Sequence, residues 1–380
     1  WDIYHENLGE LGVRPNGGSI AIKNICEYVG RRCELYLFIG KKKLSAKKIG
    51  NINIVDTERF PDVRNDKLDA NECRLRTMLC AFENLLNDLQ PDFVNLHGEG
   101  ELTKRCVLKC IEMRQKYAFT DHLYIGQKKQ IPGYASSIEW EKQFFNIPDV
   151  KVTVVGTMMK NNILRDYPAI KESDVEVIIN GTDITYQEED NNLREKYCLE
   201  GKKILLCVGS IIQRKNQMQL IHAFSCLKED VRKNLAIIFC GADRMEGALL
   251  SEIVKLHLED NLIYAGVVPN SEMKKYYSIA DGYILPSLEE GLSLTMLEAL
   301  IFGLPVILFD DISGASDLAD ENVTQFIYGK EDQDIANAII EWSHKSWDRA
   351  YIRKFAEYFN MDRVADDYIN YYKRRLSEGK

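Results

Sequence analysis

The chain has 380 residues, 45% hydrophobic and 28% charged, with 9 prolines, which excludes a disordered or fibrous protein and, at roughly 150 residues per domain, implies two domains. The net charge is −9, and an acidic chain is a poor nonspecific binder of nucleic acid, so no such partner is expected. The acidity is uneven: residues 1–185 hold 26 basic and 26 acidic side chains, residues 186–380 hold 23 and 32.

The first element is a glycine-rich loop, Asn16-Gly17-Gly18-Ser19, leading into a helical pattern from Ser19 to Val29. A strand from Glu34 to Ile39 follows, then a basic run of Lys41, Lys42, Lys43, Lys47 and Lys48. Such a run is ordinarily a solvated loop; the alternative is a docking surface for anionic lipid. Helical patterns over Ala70 to Leu89 and Leu102 to Tyr117 bracket a strand from Phe93 to Leu96. Strands at Val152 to Val155 and Val175 to Ile179 end at Asn180-Gly181-Thr182-Asp183, a turn-forming tetrapeptide. Beyond it the strand series continues at Ile204 to Val208, Leu235 to Cys240, Asn261 to Tyr264, Gly282 to Leu285 and Pro305 to Phe309. Helical patterns fall at Asn216 to Leu227 and Thr295 to Phe302, and Asp362 to Leu376 closes the chain as an amphipathic helix.

Alternating strands and helices make βαβ units and parallel sheets covered on both faces, an α/β fold. The alternation starts twice, so the domain boundary is placed at Asn180 to Asp183. The expected division is 1–183, 184–360 and a terminal crossover helix at 361–380. No apolar stretch approaches the roughly 18 residues of a membrane span, and no charged-then-apolar leader opens the chain. Ten cysteines form no C-x-x-C pair, and the six histidines are scattered. No metal site is expected, and the cysteines read as buried free thiols of a reducing, cytoplasmic compartment.

Open parallel sheets bind ligands at the carboxyl ends of their strands, and three loops of the second half lie there. Val208-Gly209-Ser210-Ile211-Ile212-Gln213-Arg214-Lys215 puts a guanidinium beside an ammonium after a glycine turn, a pairing suited to a diphosphate. Taken alone, it also fits a solvated helix start. Gly241-Ala242-Asp243 reads as a turn with Asp243 as a helix N-cap. The third loop, Pro286 to Leu300, carries Glu290, then Gly291-Leu292-Ser293 at a helix start whose amides form a ready anion site. Glu298 stands eight residues after Glu290, two turns and roughly 12 Å along a helix. On an apolar helix face Glu298 needs a polar partner, for which a basic residue across the sheet is the plain candidate.

These residues resemble a known family. The run from Pro286 to Val306 is similar to the Glu-x7-Glu signature of the retaining glycosyltransferases of family four, which have the GT-B fold of two Rossmann-like domains facing across a cleft. Asn16 to Ser19, Val177 to Asp183, Val208 to Lys215 and Ala280-Asp281 resemble further motifs of the same family. The resemblance implies that Arg214 and Lys215 neutralise the diphosphate of a nucleotide sugar, with UDP the favoured base, helped by backbone amides of Gly291, Leu292 and Ser293. It implies that Glu298 accepts the ribose hydroxyls and that Glu290 holds the transferred sugar. Gly18 would let the first domain approach the phosphates and acceptor. His122, in Phe119-Thr120-Asp121-His122, resembles a family histidine close to the reacting sugar, with His97 a weaker rival; the plain reading of His122 is a strand-end histidine with satisfied ring nitrogens. Ser210 stands where the family usually has arginine.

The reaction implied is transfer of a hexose to an acceptor hydroxyl with retention, in polysaccharide or glycoconjugate synthesis. It would use no metal or other cofactor, since Arg214 and Lys215 replace the cation. The donor would sit on the second domain. A saccharide, lipid-linked or protein acceptor would sit on the first, with peripheral membrane contact through the lysine run. Two alternatives stand beside it: a non-catalytic GT-B subunit of a transferase complex, and a nucleotide-sugar epimerase.

Overall fold

The structure is a computed structural model that describes residues 17–38, 48–55, 68–126, 131–189 and 191–378. It opens with α1 (Gly17–Val29), so Gly17 and Gly18 stand in the first helical turn and not in a loop before it. Three strands follow, β1 (Leu35–Phe38), β2 (Lys48–Ile49) and β3 (Ile52–Val55), in the order β1-β3-β2 with β2 antiparallel to β3. Of the lysine run, Lys41, Lys42, Lys43 and Lys47 lie outside the described residues; Lys48 is exposed on β2. α2 (Ala70–Leu89) begins at Asp69, whose carboxylate accepts the Glu72 N–H.

Then β4 (Val94–His97), α3 (Glu101–Glu112), β5 (Tyr117–Asp121), α4 (Ala135–Phe145), β6 (Val152–Val154), α5 (Thr157–Asp166) and β7 (Val175–Val177) alternate, and β4-β5-β6-β7 form a parallel sheet in that order. The helix expected from Leu102 to Tyr117 is corrected here: it stops at Glu112. Arg114 turns to φ 56°, its N–H reaches Ile111 O at 3.1 Å, and Gln115 N–H reaches Cys110 O at 2.8 Å. This is a Schellman closure made without glycine, and the residues past it become β5, buried along its whole length.

The second half contains α6 (Leu193–Lys196), β8 (Lys203–Val208), α7 (Gln217–Ser225), α8 (Glu229–Arg232), β9 (Leu235–Cys240), α9 (Ala248–Lys255) and β10 (Leu262–Gly266). It continues with α10 (Asn270–Ile279), β11 (Gly282–Leu285), α11 (Leu294–Ile301), β12 (Val306–Phe309), β13 (Thr324–Ile327), α12 (Asp332–His344) and α13 (Arg349–Ala356). Its six strands are parallel in the order β10-β9-β8-β11-β12-β13. β9, β11 and β12 are buried throughout, as expected of strands covered on both faces.

α14 (Met361–Ser377) lies on α1: Val364, Ala365 and Tyr368 pack with Ile25 and Val29, and Arg32 bonds Asp362 and Asp366 at 2.9 and 2.6 Å. Thr182 bridges to Asn360 and its N–H donates to Phe359 O at 2.8 Å, so the two passages of the chain between the halves run side by side. All ten cysteines are free, but burial is not general: Cys33, Cys198 and Cys226 are exposed because they follow helix ends, while Cys26, Cys106, Cys110, Cys207 and Cys240 are buried. Among the described residues no helix is long and apolar enough to cross a membrane.

Candidate functional site

β8 and β11 are neighbours, although β9 and β10 lie between them in sequence. The strand order reverses there, and sheets of this kind have their ligand crevice at such a point, outside the carboxyl ends of the strands. The loop after β8 carries Arg214 and Lys215 in a 3-10 turn, Gln213–Lys215, ended by Asn216 in the left-handed region at φ 58°. Gly209 takes φ 149°, and a Cβ there would stand 3.3 Å from Lys215 Cε, so glycine leaves the lysine its path across the strand end. The loop after β11 meets it: Leu288 N–H donates to Arg214 O at 2.8 Å.

Glu290 binds both cations through one oxygen, Arg214 Nη1 at 2.7 Å and Lys215 Nζ at 2.5 Å. Arg214 Nη1 also donates to Glu289 O at 2.5 Å, and Arg214 Nε donates to Tyr134 Oη at 3.1 Å. Burial alone would push the Glu290 carboxyl up, but Arg214 and Lys215 outweigh it and hold it at about 2. The Glu290 carboxylate is therefore ionised at neutral pH, between two basic side chains. A buried ion cluster is a weak source of stability. A preorganised basic group of this kind can present a fixed field to an anion. Beneath it Glu289, buried, accepts Ser313 N–H at 2.8 Å and Glu290 N–H at 3.1 Å.

α11 starts at Leu294 with Ser293 as N-cap, so Glu290 precedes the helix and the expected 12 Å helical spacing to Glu298 does not apply. Ser293 Oγ does not cap; it pairs with Thr295 Oγ1 at 3.1 Å, which pairs with Tyr283 Oη at 2.7 Å. Glu298 finds a phenol and not a basic residue: Tyr277 Oη donates to Oε2 at 2.6 Å. Glu298 is only half-buried by area, yet protein crowds its carboxyl. That desolvation pushes it up to about 7 against the pull of the Tyr277 bond, with Asp183 adding a like charge.

The first half supplies the opposite wall. His97 ends β4 and His122 follows β5, side by side in the sheet. His97 Nδ1 and His122 Nε2 are 3.0 Å apart, with rings stacked at 5.3 Å. Burial pushes His122 down to about 4, so the ring is neutral at physiological pH. Its Nδ1 is buried without a partner among the described residues. The expectation of a satisfied strand-end histidine is thus corrected. Gly291 touches this wall: a Cβ there would stand 2.2 Å from His122 O and 2.9 Å from Val155 Cγ2.

The fold thus gathers Arg214, Lys215, Glu290, Gly291 and His122 about one crevice, with Glu298 on α11 beside it. Leu292 and Ser293 are buried in the connecting loop, and Asn180 Nδ2 donates to Leu292 O at 3.3 Å. Ser210 is exposed and offers its carbonyl to Gln217 Nε2 at 3.1 Å. Gly18 lies in α1, which reaches the linker through Asn24 Nδ2, donating to Asp183 Oδ1 at 3.2 Å. Asp243 is not a helix cap: its oxygens accept Met245 and Gly247 N–H, both at 2.7 Å, ahead of α9. Sequence reasoning missed Tyr134, Tyr277, Tyr283 and Glu289. Tyr283 and Glu289 lie within stretches already singled out, Gly282 to Leu285 and Pro286 to Leu300, whereas Tyr134 and Tyr277 do not. Among the described residues no group of three or more His, Cys, Asp or Glu is placed to hold a metal ion.

The family described as glycosyl transferases group 1 matches residues 189–358, which contain the whole cationic cluster and Glu298. Residues 189–358 belong to the glycosyl transferases group 1 family. The match bears out the family resemblance read from the sequence and assigns no role to Glu290 or Glu298. An alpha-monoglucosyldiacylglycerol synthase of Streptococcus pneumoniae is 30% identical to this chain over 202 residues, 51% of this chain and 44% of that protein. The chain spans about half the length of the curated relatives it matches. In structure it is similar to sucrose-phosphate synthase of Thermosynechococcus elongatus, with TM-score 0.74, 18% identity and coverage of 94% and 93% of the two chains. It is also similar to HepE of Anabaena, solved with UDP, with TM-score 0.69, 14% identity and coverage of 95% and 97%. The fold of the chain is GT-B.

Proposed function

We propose that the chain is a retaining glycosyltransferase that moves a hexose from a nucleotide diphosphate sugar, UDP-linked by preference, to an acceptor hydroxyl in polysaccharide or glycoconjugate synthesis. The observation that carries the reading is the Arg214–Lys215–Glu290 cluster at the switch point of the second sheet. It offers a preorganised cationic cradle where a diphosphate leaving group would gather charge. HepE binds UDP on the same fold, which favours that base.

In this reading Arg214 and Lys215 stabilise the departing diphosphate without a metal ion, and Glu298 accepts the ribose hydroxyls. The C–O bond to the diphosphate breaks on the face where the acceptor oxygen arrives, and the leaving oxygen takes the acceptor proton. No covalent carboxylate nucleophile is required, unlike in a retaining hydrolase. His122, neutral, places no positive charge beside the developing oxocarbenium. Donor binding falls to residues 184–360 and acceptor binding to residues 1–183, with residues 361–380 tying back to the first domain. The acceptor is a saccharide, a lipid-linked sugar or a protein. A cytoplasmic enzyme touching the inner membrane face through Lys41 to Lys48 is part of the same proposal.

The test is a panel of UDP-, GDP- and ADP-hexoses read by thermal shift, since a ligand of the native state raises stability by mass action. Product anomers are then read by NMR with the donor that binds. A stabilising donor whose hexose is transferred with retention, in the presence of a chelator, is the expected result. No stabilisation by any donor, or an inverted anomer, overturns the reading.

A further inference from the structure

α4 has no part in the family motifs, yet one of its faces touches both walls of the crevice. Tyr134 at its start, Ser137 and Glu141 are spaced three and four residues apart, which puts them on one side of a helix. Tyr134 Oη accepts a hydrogen bond from Arg214 Nε at 3.1 Å, across the divide between the halves. Ser137 bonds the side chain of Glu99, two residues after His97. Glu141, 1% exposed, accepts Ile125 N–H at 2.7 Å and Gly126 N–H at 3.0 Å, pinning the loop that begins at His122. A buried carboxylate spent on two loop amides fixes that loop's path, because freeing either amide leaves an unpaired group in the interior.

Each edge of the Arg214 guanidinium has a distinct partner. Nη1 faces Glu290 and the Glu289 carbonyl, Nε faces Tyr134, and Nη2 has no protein partner among the described residues. Tyr134 therefore fixes one edge of a guanidinium whose other bonded edge is held by Glu290 and the Glu289 carbonyl. We propose that Tyr134 is a positioning residue that orients Arg214 for the diphosphate and, through α4, locks it in register with the His97 and His122 loops. This rests on the proposed function for its chemistry, but the contact itself does not. The contact joins a side chain of the first half to the charge-bearing residue of the second. It predicts an effect on the assembled transition state more than on donor binding, because Lys215 and Glu298 bind the donor without it.

Tyr134→Phe keeps the ring and removes only the acceptor oxygen. The first measurement is a double-mutant cycle of Tyr134→Phe with Arg214→Lys on the denaturant midpoint of the ligand-free chain. Non-additive shifts are expected. The second is steady-state transfer, where kcat should fall on the order of tenfold while donor KM stays within about twofold, the mark of lost positioning. Additive shifts in the cycle, or kcat within about twofold of the parent, overturn the proposal. A parent chain without transferase activity sinks the proposed function instead, and the cycle still decides whether Tyr134 holds Arg214.

Discussion

The two walls of the crevice are built on opposite electrostatic plans. The second-half wall holds an ion cluster: Arg214 and Lys215 face a Glu290 carboxylate held at about 2. The first-half wall sheds them. Burial holds His122 down at about 4 and lowers His97 well below its usual value, while it pushes Glu141 up to about 7 and Asp121 well above the carboxylate range. Burial thus biases the titratable groups of the first wall toward their neutral forms, while the second holds a carboxylate that stays ionised. A wall of fixed charge suits a ligand that is itself an anion; a wall of neutral donors and acceptors suits hydroxyls.

If that contrast is functional, the largest effects follow from discharging the second wall. Lys215→Ala is expected to lower turnover a hundredfold or more, on the order of 3 kcal/mol, as for loss of a preorganised charge-stabilising donor, and Arg214→Ala nearly as much. Steady-state transfer with the stabilising donor measures both. Near-parental turnover in the two variants would remove the assignment of a diphosphate to this wall.

Bringing the walls apart without touching a charge should cost less. Gly291→Ala inserts a Cβ 2.2 Å from His122 O, a backbone atom that cannot swing aside. Transfer should fall by on the order of thirtyfold as the reacting groups separate, with donor affinity nearly kept. Unchanged transfer would mean that His122 and Gly291 need not meet during the reaction.

Much of the second wall was legible because it is written in contiguous sequence. Gly209 through Lys215 and Pro286 through Ser293 are single loops after apolar strands, and the strand-then-glycine pattern marks both. The first wall is assembled from distant pieces. β5 was overlooked because Tyr117-Ala118-Phe119-Thr120-Asp121 mixes polar with apolar residues although all five are buried, and because the α3 stop at Arg114 carries no glycine. α4 left no mark either, since the value of Tyr134 depends on Arg214, 80 residues away in the other half. Glu298 was found, but its partner was misjudged: a buried phenol donates the hydrogen bond without supplying a charge, and only the packing of α10 on α11 reveals it.

That partner gives the next prediction. Glu298 sits at about 7 when folded, against an ordinary value near 4.5. Its folded-state pKa is raised, so protonation favours the fold. The ligand-free chain loses this contribution as pH climbs from about 4.5 through 7, while ribose binding needs the ionised form and gains over the upper part of the same window. Affinity for a nucleotide sugar, whose diphosphate does not titrate there, should rise about tenfold from about pH 6 to about pH 8. Glu298→Gln should flatten the profile. Calorimetric titration at the two pH values decides it: a slope that survives in the variant belongs to another group.

The smallest effect tests whether the walls are latched even without ligand. Gly156 precedes α5 and offers no side chain to cap it; the cap comes from the other half, where Asp317 accepts Thr157 N–H at 2.8 Å and Thr157 Oγ1–H at 2.6 Å. A helix cap lost to alanine costs about 1 kcal/mol, and here that cost is incurred only while the halves are together. Asp317→Ala should lower unfolding stability by about that amount and Thr157→Ala, which keeps the N–H bond, by less; the double variant should lose less than the sum, since both delete the Oγ1–H bond. The lost latch should also let ligand-free chains open, giving a larger radius by small-angle scattering that nucleotide restores. It does not touch the charged cluster, so turnover at saturating donor should change by less than about threefold. Additive stabilities, or an unchanged radius, would mean that the two walls are held together by the other contacts between the halves, such as Tyr134–Arg214, Gly291 and the α14 tie.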